Sequence, residues 1–237
     1  MNTTQLHQTQ LSILHALRYA DSKRFSELMA PTGHTSDTFK FHLRRLIDAG
    51  YVEKMVEGSY HLTSQGKEYA NNLNEVARTT EKQPKISALA IVTRVDTDGQ
   101  TRYLIQQRAR QPFYGYWSEI HGRVEWGESF EETARRQLKR QTGLDAVFTV
   151  YGFRRVRDHN AIGGELLEDK LFVVLRATSV AGELTNDYAG GINHWLTANE
   201  VYAQEKIFAS TRAIIESIEA GSNEFMMHDF TYLPEDY

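Results

Sequence analysis

Leu11, Ile13, Leu14 and Leu17 recur at three- and four-residue intervals, the spacing that lines one face of an α-helix. Phe25, Leu28 and Met29 repeat it over a short second helix before Pro31 and Gly33 turn the chain. From Ser36, a residue type suited to capping, Phe39, Leu43, Leu46 and Ile47 mark the inner face of a third helix running to Ala49 and ended by Gly50. The pattern then shortens: residues 51–56 and 59–63 are β-prone runs around Glu57 and Gly58, which predicts a hairpin. Helical character returns over 65–76. After a polar, charged stretch ending at Pro84, β-formers fill 86–95 and 103–108, with a turn at 96–99. Phe130, Ala134 and Leu138 at four-residue spacing predict a helix, and 148–156 and 170–177 predict strands. Glycine-containing residues 157–164 read as a loop, 210–220 as the last helix, and 224–237 as an acidic tail able to dock on a partner subunit.

This grammar divides the 237 residues into a domain at 1–74, a linker at 75–84 and a second domain at 85–237. A hydrophobic share of 41% is enough for two cores. The absence of cysteine excludes disulfides, thiol nucleophiles and thiolate metal sites. The first ten residues lack the apolar centre of a signal peptide, and no apolar run approaches membrane-spanning length, so a soluble cytoplasmic protein without membrane contact is expected. A net charge of −4 is not that of a generic nucleic-acid binder; any such contact must come from a local patch.

Residues 122–144 carry the most specific pattern. Gly122, Glu128, Arg136, Leu138, Gly143 and Leu144 fall on their places in a run that resembles the Nudix signature, G-x5-E-x7-R-E-U-x-E-E-x-G-U, where U is a bulky aliphatic residue. Arg108, Pro112, Gly115 and Trp117 add an R-x-x-x-P-x-x-G-x-W run similar to one that often precedes that box, and 117–122 stands at the family's W-x-x-P-G-G turn. In Nudix hydrolases, glutamates on the box helix hold the divalent cation that polarises a diphosphate. Three of those positions here are Gln137, Arg140 and Gln141, at i, i+3, i+4 on one helical face. A glutamine offers a neutral oxygen to a cation that wants carboxylates, and an arginine repels it. Ser129 and Glu132 have the spacing of a capping box, which gives Glu132 a structural role.

The resemblance therefore implies a Nudix scaffold with no catalytic residues expected, Glu128 and Arg136 being residual box positions. No metal or cofactor is expected; if a metal binds, Glu125, Glu128 and Glu132 are its candidates. For a ligand with a phosphate or diphosphate, the candidates are Arg108, Tyr116, His121, Arg140, Arg155 and Arg157. Guanidinium groups match phosphate geometry, Tyr116 offers a ring to a nucleobase, His121 a phosphate contact, and Arg140 a charge in place of the cation.

The order helix, helix, helix, hairpin, helix, with Phe41-His-Leu-Arg-Arg-Leu-Ile-Asp-Ala-Gly-Tyr-Val52 and Tyr60-His-Leu-Thr-Ser-Gln-Gly66, resembles the winged helix-turn-helix of bacterial and archaeal transcription regulators. Such domains place the third helix in the major groove. The residues left for DNA are Ser36, Thr38, Lys40, Phe41, Arg44 and Arg45, partly offset by Asp37, Glu53 and Glu57. The expected class is α+β, an N-terminal winged helix-turn-helix followed by a Nudix-fold α/β/α sandwich. The expected function is a DNA-binding regulator, a homodimer on double-stranded DNA, whose catalytically impaired Nudix-like domain senses a nucleotide-diphosphate or phosphosugar ligand. The alternative is an active Nudix pyrophosphohydrolase with a non-standard magnesium or manganese site.

Overall fold

The structure is a computed structural model describing residues 6–71, 83–223 and 225–237. The chain divides into two compact units, Met1–Lys82 and Gln83–Tyr237. Residues 72–76 of the closing helix and 75–82 of the linker expected from sequence lie outside the described residues.

The first unit contains α1 (Gln8–Arg18), β1 (Lys23–Arg24), α2 (Phe25–Met29), α3 (Ser36–Asp48), β2 (Val52–Lys54), β3 (Ser59–Leu62) and α4 (Ser64–Asn71). Leu14, Leu17, Leu28, Phe39, Leu46 and Leu62 form its core, each burial contributing about 1.5–3 kcal/mol. The periodic apolar positions are thus what fastens α3 to α1 and α2. Thr35, rather than the expected Ser36, is the N-cap of α3; its hydroxyl lies 3.0 Å from that of Thr38. Gly50 ends the helix with φ +76, a left-handed conformation that a side chain resists. Strand β1, two residues long and invisible to pattern reading, pairs with β3, giving the order β1-β3-β2.

The second unit contains β4 (Lys85–Ile91), β5 (Thr93–Val95), β6 (Thr101–Arg108), β7 (Trp117–Arg123), α5 (Phe130–Thr142), β8 (Asp145–Asn160), β9 (Leu166–Ala181), β10 (Asp187–Tyr188), β11 (Gly191–Thr197), α6 (Ala198–Tyr202), α7 (Ala209–Glu219) and β12 (Met226–Tyr232). One mixed sheet has the order β10-β11-β6-β7-β4-β9-β8-β12, with β5 on β6. Alternation along β4 builds two cores. Ala88 and Ala90 pack with Ala134 and Leu138 of α5, while Leu89 and Ile91 pack with Ile214 of α7. Helices on both faces make the α/β/α sandwich.

Several segments differ from their sequence expectation. The stretch 117–122 is not a turn but most of β7, antiparallel to both β4 and β6. Residues 157–160 belong to β8 rather than to a loop. Register shifts at 147/148, 150/152 and 158/159 interrupt the alternation that would have shown β8 at its full length. The tail is built into the sheet as its edge strand: β12 runs parallel to β8, pairing Met226 with Arg154 through Tyr232 with Asn160. Among the described residues, no helix is long and apolar enough to cross a membrane.

Candidate functional site

Helix α5 begins in a full capping box: Ser129 N donates to Glu132 Oε2 (2.8 Å) and Glu132 N to Ser129 Oγ (3.2 Å). It ends at Gly143, φ +75, where a Cβ would lie 2.8 Å from Thr185 Oγ1. On this rigid base, Arg136 grips Glu128 through Nε–Oε1 and Nη2–Oε2, both 2.6 Å. Thr133 Oγ1 donates to the same carboxylate at 2.6 Å, and Arg136 Nη1 reaches Glu125 Oε1 at 3.2 Å. These contacts, Arg136 foremost, hold the Glu128 carboxyl down at about 2. Glu125, Glu128 and Glu132 are therefore parts of a brace between the 124–129 loop and α5.

The face that sequence places at the family's cation is filled by a closed set of side chains. Gln137 Oε1 accepts from Arg140 Nη2 (2.7 Å) and Gln141 Nε2 (3.0 Å), and Gln141 Nε2 also donates to the His121 carbonyl (3.1 Å). Gln137 and Gln141 are buried. Gly122 leaves room for them: a Cβ there would sit 2.2 Å from Gln137 Cδ and displace that side chain. Two neutral amides and a guanidinium do not fit a hard divalent cation. Among the described residues, no group of three or more His, Cys, Asp or Glu is arranged to hold a metal.

Beside this face opens a cleft of about 470 Å³, lined from β4, β7, β8, β9, the segment after β6 and the start of α7. Arg108, Arg110, Arg123 and Arg140 line it, and among the described residues none has a carboxylate partner within ion-pair distance. Arg108 donates to the Pro112 carbonyl at 2.9 and 3.2 Å; burial, then Arg110, lowers its pKa to about 10, which leaves it charged at neutral pH. Two lysines of the cleft are paired: Lys85 with Glu168 (2.5 Å) and Lys170 with Asp158 (3.5 Å). Guanidiniums without a carboxylate partner, gathered in a concavity, favour an anion by elementary electrostatics.

Of the six ligand candidates, the structure brings Arg108, His121 and Arg140 to this cleft. Tyr116 is not there. It is buried against Phe113, Phe208 and Tyr232, and burial with Asp236 nearby pushes its hydroxyl up to about 12. Arg155 and Arg157 also lie elsewhere, each held bidentately, by Asp169 (2.8 and 3.1 Å) and Asp229 (2.7 and 2.8 Å). Their carboxylates stand 14 and 72 residues away in sequence. His121 has another chemical sense from the one expected. Its Nδ1 lies 3.0 Å from the Glu119 carbonyl oxygen, which can only accept, so the ring hydrogen sits on Nδ1. Burial, then Lys170, lowers its pKa to about 3, so the ring is neutral and Nε2 is an acceptor, unsuited to a phosphate.

Glu119 escaped notice in the sequence because 117–122 reads as a turn. As strand, β7 sends Glu119, His121 and Arg123 to one face. Glu119 is only 4% exposed; Thr211 Oγ1 donates to its Oε2 at 2.8 Å, and its Oε1 has no partner among the described residues. Burial raises its pKa to about 6.

In the first unit, Ser36, Thr38, Lys40, Phe41, Arg44 and Arg45 are all exposed on α3, opposite buried Phe39, Leu43 and Leu46. Among the described residues, Arg44 and Arg45 have no ion partner, while Lys40 lies 3.6 Å from Asp37. The β2–β3 hairpin carries Glu53 against His61 (3.5 Å) and an exposed tip at Val56 and Glu57. The helix thus offers one positive face for a groove, whereas the hairpin sets exposed Lys54 among Glu53 and Glu57.

Residues 84–217 match the family described as NUDIX domain, and residues 7–54 match bacterial regulatory protein, arsR family. No curated protein matches the chain. Among solved structures, the NUDIX domain of Shewanella oneidensis NrtR complexed with ADP ribose is 20% identical, with a TM-score of 0.51 over 68% of this chain and 99% of that one. The mutator MutT protein of Bacillus halodurans is 24% identical, with a TM-score of 0.49 over 65% of this chain and 93% of that one. The MutT NUDIX hydrolase of Burkholderia pseudomallei, also 24% identical, has a TM-score of 0.47 over 58% and 99%. The likeness to the Shewanella domain is one of fold.

Proposed function

Because this chain belongs to the Nudix family through residues 84–217, with a bacterial-regulator helix-turn-helix before it, we propose that it is a DNA-binding transcription regulator whose Nudix domain binds a phosphate-bearing nucleotide or phosphosugar without cleaving it. The observation that carries this reading is the closed set Gln137, Arg140 and Gln141. Where the hydrolase alternative needs carboxylates, the helix presents amides and a fixed positive charge. The candidate metal carboxylates Glu125, Glu128 and Glu132 are engaged by Arg136, Thr133 and Ser129.

The ligand's phosphates lie, on this reading, against Arg108, Arg110, Arg123 and Arg140, and Arg140 supplies charge where a hydrolase uses a cation. Ligand binding shifts a population between two arrangements of paired winged helices, and so changes their match to DNA half-sites. A homodimer follows from that mechanism. The ADP ribose bound by the Shewanella NrtR domain makes ADP-ribose the first compound to try.

The test is a thermal-shift and calorimetric screen of ADP-ribose, nucleotide sugars and phosphosugars against the full chain. Hits are then followed for products in the presence of magnesium or manganese. Binding without turnover, weakened tenfold or more by Arg140→Ala, is the expected result. Metal-dependent turnover abolished by Glu128→Gln establishes the hydrolase instead.

A further inference from the structure

Among the described residues, the cleft that gathers four guanidiniums without a carboxylate partner also holds hydrogen-bond acceptors that no protein group satisfies. Glu119 Oε1 is buried and has no partner, its other oxygen being taken by Thr211. Two residues along the same strand face, His121 keeps its ring hydrogen on Nδ1 for the Glu119 carbonyl, which leaves Nε2 with a lone pair and, among the described residues, no donor. On β8, Asp158 is 2% exposed; Lys170 approaches Oδ2 at 3.5 Å, and Oδ1 is unpartnered. All three residues line the same cleft.

A buried carboxylate oxygen without a donor is costly, so such atoms ordinarily meet one. A phosphate has only acceptors to offer at neutral pH, and the arginines already match it. A nucleobase brings its donors in one plane along one edge. The acceptors here stand on separate strands of the sheet, β7 and β8, with β4 and β9 between them. That arrangement suits a ring carrying several hydroxyls at different angles.

Resting on the reading that this cleft takes a phosphate-bearing ligand, we propose that Glu119, His121 and Asp158 form a sugar subsite that accepts hydrogen bonds from the hydroxyls of a phosphosugar. The phosphate then gives affinity through charge, and the acceptor set gives selectivity through hydroxyl placement. A ligand lacking those hydroxyls leaves the acceptors unpaired and loses affinity for that reason.

Three monoesters of similar phosphate chemistry separate the terms: ribose 5-phosphate, methyl phosphate and phosphoethanolamine, titrated into the full chain by NMR. Ribose 5-phosphate is expected to bind at least about tenfold tighter than methyl phosphate, a difference of about 1.4 kcal/mol. Glu119→Gln and Asp158→Asn, which keep shape but replace an acceptor oxygen with a donor, are each expected to shrink that ratio, taken against the same variant's own methyl phosphate affinity. The wild-type comparison stands even if a variant fails to fold. Equal binding of ribose 5-phosphate and methyl phosphate overturns the sugar subsite and leaves phosphate binding standing. So does a preference for phosphoethanolamine, which assigns the carboxylates to an amine, or a ratio untouched by both substitutions. If none of the three binds, the phosphate reading fails together with the subsite.

Discussion

Arg136 holds Glu128 with two hydrogen bonds of 2.6 Å each, and the pair joins the 124–129 loop to the helix that follows it. Both residues survive from the family's box, and in this structure the contact braces the loop against the helix. Glu128→Gln is therefore expected to cost about 1.5–3 kcal/mol of stability, the range for hydrogen bonds to a charged group, read from urea unfolding. Ligand affinity stays within about twofold. A depressed carboxyl contributes stability that is full above its ordinary 4.5 and lost as pH falls through about 2. The variant's deficit should accordingly shrink in acid.

Glu119 has the opposite sign. Its pKa rises from 4.5 to about 6 on folding, so between those values the folded chain keeps a proton that the unfolded chain has released. Stability then falls as pH rises through this window, by about 2 kcal/mol at about 1.4 kcal/mol per unit. Glu119→Gln should raise Tm at pH 7.5 more than at pH 4, measured by calorimetry without ligand. An equal shift at both pH values contradicts a buried, ionising carboxyl.

How much of this was legible in the sequence depended on the distance over which each contact acts. Ser129 and Glu132 cap a helix across three residues, and Phe39, Leu43 and Leu46 bury one face of another, so local spacing was sufficient for both. The partners of Arg155 and Arg157 come from a neighbouring strand and from β12, and no spacing rule connects Arg157 to Asp229. Burial alternates along β12, but the edge of β8 that it pairs with is supplied only by the fold. At the candidate site, the substituted box positions were readable, whereas Glu119 was hidden by reading a strand as a turn. The tautomer of His121 depends on a carbonyl that only the fold supplies.

Restoring the carboxylates tests why the site should lack a metal. The triple variant Gln137→Glu, Arg140→Glu, Gln141→Glu is expected to gain a Tm increase on adding manganese, through binding to the folded state. The wild-type chain should show none. A wild-type response equal to the triple variant's would place a metal elsewhere in the domain.

On α3, Arg44 and Arg45 are exposed and unpaired among the described residues. Arg44→Ala and Arg45→Ala should each weaken operator DNA about tenfold. Loss of a phosphate contact also lowers the salt dependence of log K by about one unit, whereas loss of a base contact relaxes specificity at one position. Mobility shifts across a salt series distinguish the two. Unchanged affinity in both variants would assign the winged helix to protein pairing.

The most direct test of a pocket that binds rather than cuts is equilibrium dialysis of ADP-ribose against the full chain with magnesium, both chambers being resolved by chromatography. Excess ADP-ribose held in the protein chamber and recovered intact is the predicted result. Accumulation of AMP and ribose 5-phosphate beyond the amount of protein, or an even distribution of ADP-ribose between the chambers, would contradict it.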